Sequence, residues 1–465
     1  MKVVTRFAPS PTGLLHIGNI RTALYAWLFA KHYSGKFILR IEDTNFNTSN
    51  QKYSSSILDV LNWLGLSWDE GPYFQSHNLK FYNDIILQLI TQKKAYKCYC
   101  SSEHLKKIRD VQIINGDKPK YDGTCKNITK DLCKPYVVRF KNPERGRVIF
   151  QDCIRGNISV NNEELDDLII QRTNGIPTYN FCSVIDDHRM NITHVIRGED
   201  HINNTPRQIN IYKSLNFKIP QYAHVSMIID KNKQKLSKRN KNYEMTYYQN
   251  QGFFPEALLN YIVRLGWSHG NQEIFSLNEM IKLFSLKKVN KAPSIFNTRK
   301  LLWINHYYLN TLPEKYVVIE FKKLLKKKKI NIHFDINQIN IIRLLKKRCS
   351  TINEIIDGSK FFYSDFHINF ILLSQNYVHK LCKNITCIFF KKFYLLQNWS
   401  ILNIQRCIKN TIVEQCFFTK DVYMNLRIIL TGSDISPSII EIIFILGKTL
   451  TLKRIKNCIQ FIKNN

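Results

Sequence analysis

Long apolar runs are absent from this chain. The most extended, from Ile439 to Leu446, is broken by Glu441. A helix needs roughly 18 consecutive apolar residues to cross a bilayer, so a membrane-spanning helix is excluded. The opening Met-Lys-Val-Val-Thr-Arg-Phe-Ala-Pro holds no apolar stretch of the export type, and no secretory signal is expected there. A disulfide framework is also missing: the 12 cysteines are scattered over 465 residues, with one close pair at Cys98 and Cys100. Free thiols in a reducing compartment follow, and with them an expected cytoplasmic location. Acidic side chains are scarce, 36 Asp+Glu against 68 Lys+Arg, for a formal charge of +32. Such an imbalance suggests a polyanionic partner, with nucleic acid the first candidate. The excess is evenly spread, however. Residues 331–465 hold 18 basic against 8 acidic side chains, about the density of the whole chain. General drift towards Lys, Asn and Ile produces the same uniformity, so charge alone leaves both explanations open.

What is present is enough apolar material for several packed cores. The 44% hydrophobic and 12% aromatic fractions exclude a disordered chain, and the length calls for two to four domains. The first forty residues read as a βαβ unit. Val3 to Ala8 is a short apolar strand, and Pro9-Ser10-Pro11-Thr12-Gly13 a stiff turn. Ile20, Ala23, Leu24, Trp27 and Leu28 then share one helical face, Gly35 stands where a helix stop is wanted, and Phe37 to Ile41 is a second strand. That order favours a parallel sheet with right-handed crossovers. Residues 95 to 185 are mixed and turn-rich, as an insertion would be. Helical periodicity dominates from Glu256 and continues, rich in Lys, Ile and Leu, to the end. The six lysines between Lys322 and Lys329 are expected to form a solvated helix face.

Two short motifs carry phosphate chemistry. His16-Ile17-Gly18-Asn19 opens a helix, where unpaired N–H groups and the positive end of the dipole favour an anion, and where glycine lets backbone approach a nucleotide. An imidazole there can donate to phosphate oxygens as charge builds. Lys235-Leu236-Ser237-Lys238-Arg239 is a basic loop suited to closing over pyrophosphate. Either alone is commonplace; together, in this order, they resemble the two ATP signatures of class I aminoacyl-tRNA synthetases. Further stretches resemble the bacterial glutamyl-tRNA synthetases within that class: Thr5 to Gly13, Arg40-Ile41-Glu42-Asp43-Thr44, Pro177 to Phe181, Val195 to His201 and Leu259 to Trp267. The likeness is dense over residues 1–310 and traceable to the end.

The resemblance implies an α/β architecture: a Rossmann-like parallel-sheet catalytic domain (1–95 and 186–250) with an inserted α+β domain for the tRNA acceptor end (96–185). A helical stem-contact domain (251–312) and an all-α anticodon-binding region (313–465) complete it. It implies that L-glutamate is activated by ATP with Mg²⁺, then transferred to tRNA(Glu), by an enzyme that is usually monomeric. ATP would be held by Pro9, His16, Gly18, Asn19, Lys235, Ser237 and Lys238, with His16 and Lys238 acting on the transition state. Glutamate would be held by Arg6 and Arg197 on its carboxylates and Glu42 on its ammonium, with Ala8, Ser10 and Tyr179 beside them. This chemistry is coherent, since a guanidinium fork suits a carboxylate and an acid suits an ammonium. Asn19 stands where the class's best-known signature has a second histidine, and Arg197 has Glu199 and Asp200 as neighbours able to neutralise it.

Cys98, Cys100 and Cys125 suggest Zn²⁺, which takes four tetrahedral ligands. Where many relatives carry Cys-x-Cys followed by Cys-x-His, this chain has Asn127 in the histidine's place, and neutral Asn is a poor zinc ligand. Tyr121 is the first choice for the fourth ligand, with His104 or Cys133 as alternatives; buried free cysteines of a decayed site remain the other explanation. His77, His194, His201 and His224 are expected to be structural.

Overall fold

The computed structural model describes residues 2–45, 49–128, 133–235, 243–333, 336–363, 366 and 382–464. They form two compact units, residues 1–247 with 255–300, and residues 248–254 with 301–465.

In the first unit the chain runs β1 (Val4–Phe7), α1 (Ile17–His32), β2 (Lys36–Ile41), α2 (Gln51–Trp63), β3 (Glu70–Phe74) and α3 (Leu79–Thr91). It continues with β4 (Ala95–Cys98), α4 (Ser102–Ile114), β5 (Val137–Phe140), β6 (Arg147–Asp152), β7 (Gly156–Asn161) and β8 (Ile169–Gln171). After these come α5 (Tyr179–Arg189), β9 (His194–Gly198), α6 (Thr205–Ser214), β10 (Gln221–Val225), β11 (Ile228–Ile229), the start of α7 (Met245–Asn250), α8 (Pro255–Val263), α9 (Leu277–Leu283), β12 (Ser294–Ile295) and the start of α10 (Thr298–Thr311).

The βαβ expectation holds. β1 and β2 pair in parallel from Val4↔Lys36 to Phe7↔Leu39, and β3 adds to β2 in the same sense. β9 and β10 are likewise parallel, and β10 meets β6 at Tyr222↔Asp152. The two sheets are stitched where the Val4 N–H donates to Thr193 Oγ1 (2.8 Å) and the Thr193 N–H to the Val4 carbonyl (2.9 Å). The antiparallel hairpin β6–β7 comes from the stretch that reads as mixed and turn-rich, yet it extends the sheet of β9 and β10. A separate antiparallel sheet, β4-β5-β8, packs on α3, α5 and α6 through Tyr82, Ile86, Val138, Phe140, Ile170, Phe181, Ile185 and Tyr212.

Helix α1 buries more than the single stripe its periodicity predicts. Ile17, Arg21, Tyr25, Ala26, Phe29 and Ala30 are buried as well as the expected face, because β1 and β9 pack on it together with α8 and α9. Its end differs from expectation in a telling way. The left-handed residue is Ser34 (φ 50), whose N–H bonds the Lys31 carbonyl, while the Gly35 N–H returns to the Ala30 carbonyl at 2.7 Å; this is a Schellman arrangement. Gly35 is required for another reason: a Cβ there would stand 2.2 Å from the Val3 carbonyl oxygen.

The second unit is built from helices: the rest of α7 and of α10, α11 (Glu314–Lys328), α12 (Gln338–Leu345), α13 (Ile352–Gly358), α14 (Cys382–Leu395), α15 (Ile401–Glu414), α16 (Thr419–Thr431) and α17 (Ile439–Asn464). The last is interrupted at Gly447, whose φ of 76° is non-helical. On α11, Phe321, Leu324 and Leu325 face inwards, and the lysines from 322 to 329 are all exposed, as amphipathic spacing dictates. Among the described residues no helix is long and apolar enough to cross a membrane.

Replacing Gly35 by Ala should destabilise the first unit by about 1–3 kcal/mol through overpacking. A urea midpoint equal to that of the unmodified chain would show that the Val3 carbonyl gives way freely.

Candidate active site

Strands pointing the same way end on the same side, and the crevice beyond their carboxyl ends is where open parallel sheets bind ligands. A cavity of about 790 Å³ lies there, walled by Arg6 to Ser10 at the end of β1, Glu42 after β2, Arg197 to His201 at the end of β9 and Val225 to Ile228 from the end of β10. His16, Gly18, Asn19, Tyr179 and Lys235 also line it. Every described residue expected to hold ATP or glutamate therefore meets at one cavity. Leu236, Ser237, Lys238 and Arg239 lie outside the described residues. The described flanks of that loop, Lys235 and Glu244, both border the cavity, and Glu244 bridges to His16 while the Met245 N–H donates to the Leu15 carbonyl at 3.0 Å.

His16 is the N-cap of α1. Its Nδ1 accepts the Gly18 N–H at 3.0 Å, and Asn19 Oδ1 accepts the His16 N–H at 3.1 Å. Two of the helix's orphan donors are thus satisfied reciprocally. Because Nδ1 accepts, the neutral ring carries its proton on Nε2. A Cβ at 18 would come within 2.9 Å of His16 Cε1, so any larger residue there would displace the imidazole from its cap. Asn19, the departure from the familiar signature, closes this cap.

Behind the cavity floor lies a buried ionic cluster. Arg6 Nε donates to Asp187 Oδ1 (3.1 Å), and Arg40 reaches Asp187 Oδ1 (2.7 Å) through Nη1 and Glu42 Oε1 (3.1 Å) through Nη2. Asp186 adds a carboxylate 3.7 Å from Arg40 Nε, itself accepting from Gln75 Nε2 and the Tyr82 hydroxyl at 2.8 Å each. Arg6 is therefore no surface residue, and Glu42 no exposed turn capper: they are 4% and 7% exposed. Two guanidiniums face three carboxylates. Burial raises the carboxyls of Glu42 and Asp186 against the pull of the neighbouring guanidiniums, whereas Asp187, despite its burial, is held below the usual carboxylate range by Arg6 and Arg40 together.

Arg197 escapes the acids beside it. Glu199 is engaged by Arg155 and by the Met227 N–H, and Asp200 by Lys235 at 3.3 Å. Arg197 instead donates from Nε to His224 Nε2 (3.1 Å) and from Nη2 to Thr205 Oγ1 (2.8 Å) and the His201 carbonyl (3.3 Å). Its Nη1 is buried with no hydrogen-bond partner. The Tyr179 hydroxyl lies 3.2 Å from His201 Nδ1. Sequence reasoning did not find Asp186, Asp187, Asp152, Thr205 or the part played by His224. Asp187 is 147 residues from Arg40 and Asp152 is 72 from His224, so no local spacing betrays either pair.

The three cysteines do converge. Cys98, Cys100 and Cys125 sulfurs lie within 4.8 Å of one another, Cys100 and Cys125 at 3.5 Å. The Tyr121 hydroxyl is 3.4 Å from Cys98 Sγ and 3.6 Å from Cys100 Sγ, its ring pressed under the Arg139 guanidinium at 3.7 Å. Asn127 is exposed, and His104 and Cys133 are exposed and outside this group. A tetrahedral zinc thiolate has Zn–S near 2.3 Å, hence ligand edges of about 3.8 Å, and three sulfurs with one phenol oxygen at these separations fit it.

Residues 2–303 match the family described as tRNA synthetases class I (E and Q), catalytic domain, and residues 314–459 match an anticodon binding domain. The chain belongs to the class I tRNA synthetases. It is 52% identical over 468 residues to the glutamate–tRNA ligase of Wigglesworthia glossinidia brevipalpis, and 51% identical over 470 residues to that of Buchnera aphidicola subsp. Cinara cedri (strain Cc); each alignment covers all of this chain and 99% of the relative. Among solved structures it is similar to a glutamate tRNA ligase from Elizabethkingia meningosepticum in complex with its amino acid, at 32% identity and a TM-score of 0.85, over 99% of this chain and 100% of that one.

The site has a consequence for acid stability. Burial, and then the Arg197 charge, push the His201 imidazole down to about 4, against roughly 6.5 in an unfolded chain. Between those values the unfolded state takes up a proton that the folded state refuses, so stability falls as pH drops from about 6.5 to about 4. His224, lowered chiefly by burial, acts in the same direction. A His201→Gln variant should lose less stability than the unmodified chain between pH 7.5 and 5 in urea titrations; an equal loss would refute the assignment.

Proposed function

We propose that this chain is a glutamate–tRNA ligase acting as a cytoplasmic monomer. The glutamate α-carboxylate attacks the ATP α-phosphate in line, forming glutamyl-adenylate and pyrophosphate. The 2′-hydroxyl of the terminal adenosine of tRNA(Glu) then attacks the activated carbonyl and releases AMP. The observation that carries the substrate assignment is the cavity's charge pattern: a buried guanidinium with an unshared N–H group on one side, and a carboxylate cluster one cation short on the other. An amino acid with a second carboxylate completes both. Glu42 receives the ammonium, Arg6 and Arg197 the carboxylates, and Ala8, Ser10 and Tyr179 shape the space between them.

Neither step needs a protein nucleophile; positioning and charge stabilisation suffice. Pro9, Gly18, Asn19 and the N-terminal end of α1 cradle ATP. His16 donates from Nε2 to the phosphates, and Lys235, Ser237 and Lys238 close on the pyrophosphate. Mg²⁺ entering with ATP would supply countercharge to the phosphates. Residues 1–95 and 186–250 form the catalytic domain, 96–185 contact the acceptor end, 251–312 the stem, and 313–465 the anticodon, the last supported by the anticodon binding domain match over 314–459. Cys98, Cys100, Cys125 and Tyr121 hold Zn²⁺ and so brace the acceptor-end domain.

Purified protein supplied with ATP should charge tRNA(Glu) with glutamate and reject glutamine; the reverse preference would overturn the substrate assignment. Lys238→Ala, assayed by ATP–pyrophosphate exchange with tRNA present, should fall by about two to three orders of magnitude, and exchange at the unmodified rate would remove Lys238 from the mechanism. Metal analysis should return close to one zinc per chain, lost in Cys100→Ser. Zinc-free protein of full activity would sink the metal assignment.

A further inference from the structure

We propose that His224, held in one tautomer by Asp152, is a positioning residue that aims Arg197 into the glutamate pocket. The proposal rests on the reading of Arg197 as a carboxylate ligand. Neither His224 nor Asp152 borders the cavity; they are 0% and 2% exposed. Asp152 is pinned first. Its Oδ1 accepts the N–H groups of Ile154 (2.9 Å) and Arg155 (2.8 Å), and its Oδ2 the backbone N–H of His224 (3.1 Å). His224 Nδ1 then sits 2.6 Å from Oδ2, with the Tyr222 ring nearly parallel to the imidazole at 5.9 Å.

The protons follow from chemistry. Arginine only donates, so the Arg197 Nε–H at 3.1 Å requires a bare lone pair on His224 Nε2. The imidazole proton must therefore lie on Nδ1, directed at Asp152. A carboxylate there enforces that tautomer, as it does for histidines whose far nitrogen must accept. Thr205 Oγ1, 3.1 Å from His224 Nε2, takes the neighbouring Nη2–H at 2.8 Å. Histidine and threonine together hold the Nε–Nη2 edge of the guanidinium, while Tyr222 supports its face at 5.4 Å. The corner left over is Nη1, buried and unpartnered. Removing the acceptor strands a buried charged donor and frees the fork to turn.

The experiment measures KM for glutamate and for ATP in His224→Leu, His224→Gln, Thr205→Val and Arg197→Ala. His224→Leu should raise the glutamate KM about ten- to hundredfold, the worth of a hydrogen bond to a charged group, with the ATP KM unchanged. His224→Gln, which can donate to Asp152 and accept from Arg197, should restore most of it. Equal rises in both KM values, or no rescue by glutamine, would mark His224 as merely structural and overturn the proposal. So would a glutamate KM unaltered by His224→Leu when Arg197→Ala raises it. If Arg197→Ala itself leaves that KM alone, the underlying reading of Arg197 fails instead. Should His224→Leu not fold, Thr205→Val decides: a raised glutamate KM supports the clamp, an unchanged one refutes it.

Discussion

Where β1, β2 and α5 converge, the side chains of Arg6, Arg40, Glu42, Asp186 and Asp187 close on one another in the protein interior. Charges buried in this way are tolerated only when paired and hydrogen-bonded, and removing one partner costs about 3–5 kcal/mol. Arg40 is wholly buried and bridges all three carboxylates, so it ties the second strand to the helix that follows the inserted sheet. The cluster fixes the carboxyl ends of β1 and β2 relative to α5, and with them the cavity wall formed by Arg6, Glu42 and Tyr179. Its excess of one carboxylate is a standing preference for a cation, which an amino acid's ammonium supplies.

The opposite wall obeys a different logic. Arg197 is kept from its sequence neighbours because Glu199 and Asp200 have better-placed cations in Arg155 and Lys235. Its back edge is held by neutral acceptors. The Arg197 guanidinium, held by histidine, threonine and a carbonyl rather than by a protein carboxylate, keeps its charge for a ligand. The same economy operates at the start of α1, where His16 and Asn19 satisfy each other's backbone and leave Nε2 as the imidazole's donor. Rigid first-turn geometry here comes from two side chains and one missing Cβ, and preorganised donors are what charge stabilisation demands.

Much of this was legible before any coordinates. The apolar strand, the turn of prolines and glycine, the 3.6-residue spacing of Ile20 to Leu28 and the second strand are local signals, and each formed within a few residues of its expected place. The solvated lysine face of α11 was equally visible, because amphipathic spacing needs no tertiary information. The wide burial of α1 was not, since a helix enclosed by strands and further helices carries no stripe to read. Gly35 marks the helix stop in the sequence, but not by its own backbone freedom. Ser34 took the left-handed conformation, and the glycine answers to a carbonyl from another strand.

The sequence by itself determined the strand–helix–strand order and parallel crossover at the N-terminus, the helical C-terminal half and the residue types needed for phosphate and amino-acid chemistry, because those rest on periodicity and short motifs. Tertiary structure alone decided which charges pair. Which groups hold Arg6 and Arg197, whether Tyr121 rather than His104 joins the thiols, and which nitrogen of His224 carries its proton all depend on groups brought together from scores of residues away. Electrostatic partnership falls off with distance in space, and distance in space is what a one-dimensional sequence does not contain.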